Sequence, residues 1–115
     1  MVTQIPELHE LVSLFESEPV LLDRDQPWFY NSLRWELRRG AQQISVEMEP
    51  SDGQISVVLS EAGRELLVLR VTATGFSIDS RDQSEWLVLH MPERTGLGDI
   101  RVRTRPDLHV VCAEW

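Results

Sequence analysis

The chain has 115 residues, 42% of them hydrophobic and 26% charged, a composition that excludes a disordered or collagen-like chain and fits one domain with one core, residues 1–115. No apolar run approaches the ~20 residues of a membrane span. Nineteen acidic residues against eleven arginines and no lysine give a net charge of −8, which disfavours nucleic acid and anionic membranes and favours a protein partner with a basic surface.

The start, "MVTQIPELHE", lacks a basic segment followed by an apolar one, so no secretory leader is expected. A single cysteine, Cys112, has no internal disulfide partner. Together these point to a reducing, cytoplasmic setting. In the apolar "VVCAE", Cys112 is expected to be buried and inert.

Residues 6–17, "PELHELVSLFES", predict a helix. Leu8, Leu11, Val12 and Phe15 fall at i, i+3, i+4 and i+7, a narrow apolar stripe. Pro6 is tolerable in a first turn, and Pro19 stops the element. So short a helix needs a larger surface to dock on. "FESEPVLLDRDQPW" follows, where Glu16, Glu18, Asp23 and Asp25 face only Arg24. The spacing matches no EF-hand loop, so no metal is expected there. The segment reads either as a solvated connection or as an acidic surface that steers a basic partner, with Trp28 as a contact anchor.

From there the apolar period drops to two. Phe29, Leu33, Trp35 and Leu37 share a parity in "FYNSLRWEL", and Ile44, Val46 and Met48 share one in "ISVEME". Gly40 separates these strands. Asp52-Gly53 predicts a turn into "QISVVLS", and "EAGR" another. "ELLVLRV" and "EWLVLHM" are apolar at both parities, the pattern of central strands covered on both faces. Trp35 and Trp86 are expected in the core. "GFSIDSRDQS" predicts a short strand and a polar turn. "DIRVRTRPDL" alternates Arg101, Arg103 and Arg105 with apolar or small residues, and "LHVVCAEW" is the last strand. The arginines read as a solvated face paired with acids on neighbouring strands. They form a functional patch only if the fold gathers them with Arg38 and Arg39.

The fold class is α+β: an N-terminal helix packed on a curved, mainly antiparallel sheet of seven or eight strands, barrel-like or two-layer. One short helix leaves an apolar face bare, so the sheet curls back on itself or a second copy docks as a homodimer.

No catalytic motif is complete. "HELVS" has Ser13 where a zinc-protease helix needs a second histidine. "TGLGD" precedes a strand and lacks the third dinucleotide-binding glycine, and no Gly-x-Ser-x-Gly occurs. Three scattered histidines, His9, His90 and His109, support no metal site. No acid–base pair is legible, so an enzyme is not expected, and neither is a cofactor. The leading expectation is a protein–protein interaction module acting through Glu16, Glu18, Asp23, Asp25 and Trp28. The alternative is a small-molecule site in the mouth of the curved sheet, lined by Trp86, His90, Gly96 and Gly98.

Overall fold

The computed structural model describes residues 2–93 and 97–114. Helix α1 spans Leu8–Phe15. The strands are β1 (Val20–Leu21), β2 (Leu33–Arg39), β3 (Gln42–Glu49), β4 (Gln54–Glu61), β5 (Arg64–Thr72), β6 (Gly75–Arg81), β7 (Ser84–His90), β8 (Leu97–Arg105) and β9 (His109–Glu114).

They form two antiparallel meanders, one of five strands in the order β1-β2-β3-β4-β5 and one of four in the order β6-β7-β8-β9. The expected single curved sheet is therefore two sheets, and the two-layer form of the expectation is the one observed. Residues Ala73 and Thr74 carry the chain from one layer to the other. The extra strand is the two-residue β1, too short to show a period in sequence.

The period-two pattern explains the layers. Alternate residues of β2, β3 and β4 (Leu33, Trp35, Leu37; Ile44, Val46, Met48; Ile55, Val57, Leu59) are buried against Phe76, Leu87, Leu89, Ile100 and Val102 of the second sheet. Each sheet thus covers the inner face of the other within one chain, the first of the two expected ways of covering it.

Helix α1 does not lie across a sheet face. It touches β2 of one layer and β7 of the other, closing the join between them. Phe15 stacks on Trp35 at 4.8 Å between ring centroids, and the Trp35 indole N–H donates to the carbonyl of Ser17 at 3.0 Å. Leu14 is buried with Leu11 and Phe15, whereas Leu8 and Val12 are half-buried, so the apolar stripe is rotated from the expected one.

Turn chemistry follows the sequence at Gly53, which has φ +79°. A Cβ there would sit 2.2 Å from the carbonyl oxygen of Ala73, so this approach to the layer crossing demands glycine.

Two expectations are corrected. β5 is an edge strand, not a central one: Leu66 is 52% and Val68 58% exposed, and Leu67, Leu69 and Val71 are only half-buried. Trp86 is outside the core, half-buried on the outer face of β7 in register with Arg103. The bulge between Glu85 and Trp86 lies beside this position.

Candidate docking loop

The segment from Glu16 to Ser32 joins α1 to β2. Glu16 ends the helix in the left-handed region, φ 62°. Its carboxylate takes 2.9 Å and 2.8 Å contacts from Arg39 and Arg105. The hydrogen bond from Arg39, then that from Arg105, holds its pKa below the ordinary glutamate range against the opposing effect of desolvation. Arg105 also pairs with Glu85 and donates to the Ser13 carbonyl. Glu16 is therefore a clasp between helix and sheets rather than a free charge.

Beyond Pro19, β1 pairs with β2 (Val20 with Arg34, Leu21 with Leu33), and the Leu22 N–H donates to Ser32 O at 3.0 Å. Leu21 packs on the core, which turns Val20 and Leu22 outward by strand alternation. Leu22 is 84% exposed.

The next turn is built by one buried side chain. Asn31 Oδ1 accepts from the Asp23 N–H at 3.1 Å and from the Ser32 N–H at 2.9 Å. Its Nδ2 donates to the carbonyls of Asp23 and Gln26. Asp23 Oδ1 accepts from the Asp25 N–H at 3.0 Å. The buried amide thus uses both ends on the loop backbone, and the loop gains a fixed shape without a core of its own.

Pro27 opens a 3-10 turn, Trp28–Tyr30, with edge-to-face contacts from Trp28 to Phe29 and from Phe29 to Tyr30. Trp28 is half-buried against the core, while Tyr30 is 68% exposed. The result is an outward set of Val20, Leu22 and Tyr30, with the exposed acids Glu18, Asp23 and Asp25 in the same segment.

Of the residues expected here, Asp23 and Asp25 stand exposed in the turn that Asn31 braces, and Glu18 is exposed ahead of β1. Glu16 is drawn into the arginine clasp, and Trp28 packs inward more than outward. Sequence reasoning missed Leu22, Tyr30 and the brace Asn31. The pairing of β1 that turns Leu22 outward leaves no local signature.

The residues of the alternative site fall elsewhere. Trp86 and His90 stand on the outer face of β7, Gly98 is buried in β8, and Gly96 lies outside the described residues, as does Trp115. Depressions elsewhere among the described residues have other linings. Two on the outer face of the five-stranded sheet, about 460 Å³ and 310 Å³, share Glu47, Ser56 and Arg70.

The arginine stripe is paired with acids, but of these only Glu85 lies on a neighbouring strand; Asp79 is two strands away on β6, Asp107 follows β8 itself and Glu16 ends the helix. Arg101 meets Asp79, Arg103 meets Asp107 at 2.6 Å, and Arg105 meets Glu16 and Glu85. Hydrogen bonding from Arg101, with the nearby Arg81 charge, lowers the Asp79 pKa. Arg101 and Arg103 also lie 5.4 Å and 5.2 Å from the Trp86 ring centre. The fold brings Arg105 to Arg39, but around the Glu16 carboxylate. Arg38 stays apart, 2.7 Å from Gln43 Oε1. Cys112, expected buried, is exposed on β9.

One constellation was not foreseen. Ser77, His90 and Asp99 come from three adjacent strands of the four-stranded sheet. Ser77 Oγ is 2.8 Å from His90 Nε2, and Asp99 Oδ2 is 3.3 Å from His90 Nδ1.

No group of three or more histidine, cysteine or acidic side chains suited to hold a metal occurs among the described residues. No helix among them is long and apolar enough to cross a membrane.

No family model matches the chain, and no curated protein matches it. Among solved structures it is similar to a chain of a contact-dependent growth inhibition toxin–immunity protein complex from Klebsiella pneumoniae 342. The TM-score is 0.83 at 22% identity, covering 99% of this chain and 98% of that one. At that identity the likeness establishes a shared fold, one helix with two antiparallel sheets.

Proposed function

We propose that this protein is a docking module for a protein partner and that the loop from Glu18 to Tyr30 is its contact surface. The observation that carries the proposal is the pairing of exposed apolar groups with acids on a rigidly braced segment. Leu22 and Tyr30 supply apolar contact area, and Glu18, Asp23 and Asp25 supply long-range attraction to a basic surface. Asn31 holds the loop before the partner arrives, which lowers the ordering cost of association. Sharing its fold with a chain of a toxin–immunity complex supports a protein partner. Docking of this kind breaks and makes no covalent bond, and it goes with a cytoplasmic setting.

The test is affinity capture from native cell extract, followed by titration of the captured partner against ionic strength. The association rate is expected to fall as salt rises, because screening shortens the reach of the loop acids. An association rate indifferent to salt would remove the acidic half of the reading.

A further inference from the structure

We propose that Ser77 is a nucleophile activated by His90, and that the site takes small activated esters. It uses the four-stranded sheet, not the loop beside β1, so it stands or falls apart from the docking surface.

The geometry comes first. Ser77 and Asp99 reach the two ring nitrogens of His90 from opposite sides, β6 on one flank and β8 on the other. With Asp99 facing Nδ1, the neutral imidazole carries its proton there and leaves the Nε2 lone pair for the Ser77 hydroxyl. This is the order of roles in a serine–histidine–aspartate relay, recognised by geometry rather than sequence spacing. The His90 backbone is anchored as well: its carbonyl accepts from the Thr74 N–H at 2.7 Å and from Thr74 Oγ1 at 3.0 Å. The ring therefore hangs from a fixed strand position.

A substrate has somewhere to sit. A depression of about 260 Å³ beside Ser77 is lined by Gln4, Ile5, Pro6, Glu10, Phe76 and Ile78. Its accessible lining is mostly polar, and its size limits the ligand to a small ester. Glu10 is engaged at the helix start, where its carboxylate accepts from the Glu7 N–H at 3.0 Å. A covalent adduct records a single attack and needs no turnover, so it is the readout.

In the reaction, Ser77 Oγ attacks the electrophilic carbon or phosphorus of the ester. The hydroxyl proton passes to His90 Nε2, and the leaving group departs with that proton. Water then cleaves a carboxylic acyl adduct by the same proton route, restoring Ser77. Asp99 touches no substrate; it is a positioning residue that holds the imidazole.

A fluorophosphonate ester is the probe. Ser77 Oγ forms the new bond to phosphorus, the phosphorus–fluorine bond breaks, and fluoride leaves with the proton. Intact-protein mass spectrometry is expected to show one adduct, mapped to Ser77. It is lost in Ser77→Ala and His90→Ala and unchanged in Ser80→Ala. Asp99→Asn is expected to label at least about tenfold more slowly, with Asp99→Glu recovering part of the rate. Matching circular dichroism across the variants separates loss of reactivity from loss of fold. No adduct on the wild type, an adduct on another residue, or equal labelling of Ser77→Ala or His90→Ala overturns the assignment.

Discussion

β5 and β7 read alike in sequence and end in opposite places. "ELLVLRV" and "EWLVLHM" both carry apolar residues at both parities, yet β7 lies inside its sheet and β5 lies at an edge. On β7, Leu87 and Leu89 are in the core and the outward Val88 is only 5% exposed, in register with Ser77 and Arg101. On β5, the outward Leu66 and Val68 are more than half exposed. Alternation reports which face a side chain takes. It does not report how many neighbours the strand has, and that number decides burial.

The largest effect that tests this contrast is removal of a β7 core side chain. Leu89→Ala is expected to cost about 2–5 kcal/mol, through lost transfer energy and the cavity left behind, read by chemical denaturation. Leu67→Ala on β5 is expected to cost clearly less, because Leu67 is half-buried. Equal losses would break the comparison.

The outward residues sharpen it. Val88→Ala is expected to cost about 1.5 kcal/mol, two buried carbon groups' worth, whereas Val68→Ala stays within about 0.5 kcal/mol.

How much was legible follows the same logic. The alternating parities of Leu33, Trp35 and Leu37, and of Ile44, Val46 and Met48, marked the inner face of the first sheet. Turn residues marked the hairpins. Trp86 defeated the reading, because its strand is apolar on both sides and a bulge lies beside it. At the candidate loop, the charge was visible but the capture of Glu16 was not. Its partner Arg105 lies 89 residues away, brought close only by the layering of the sheets. The Ser77–His90–Asp99 set was hidden for the same reason: it needs the register of three strands.

The Glu16 clasp extends the contrast between the strands. It binds α1 to β2 and β8, and Arg105 carries the tie on to Glu85 of β7. Among the described residues, no ion pair involves β5. A carboxylate whose pKa is lowered by folding stabilises the native state above the ordinary glutamate range, and that increment disappears as pH falls through the lowered value. Glu16→Gln is expected to cost less than about 1 kcal/mol at neutral pH, as befits a partly exposed pair. It should also flatten the acid limb of a melting-temperature profile. An unchanged acid limb would show the clasp to be idle. The smallest effect concerns exposed β5: Leu66→Thr is expected to move stability by no more than about 0.5 kcal/mol.

Docking by the loop is tested most directly by comparing two variants against the captured partner with calorimetry. Leu22→Ala/Tyr30→Ala strips the loop, and Leu66→Ala/Val68→Ala strips the β5 face, a second exposed apolar surface. The loop variant is expected to bind at least about tenfold more weakly, and the β5 variant to bind as the wild type does. The reverse order, or an unweakened loop variant, would contradict docking through residues 18–30.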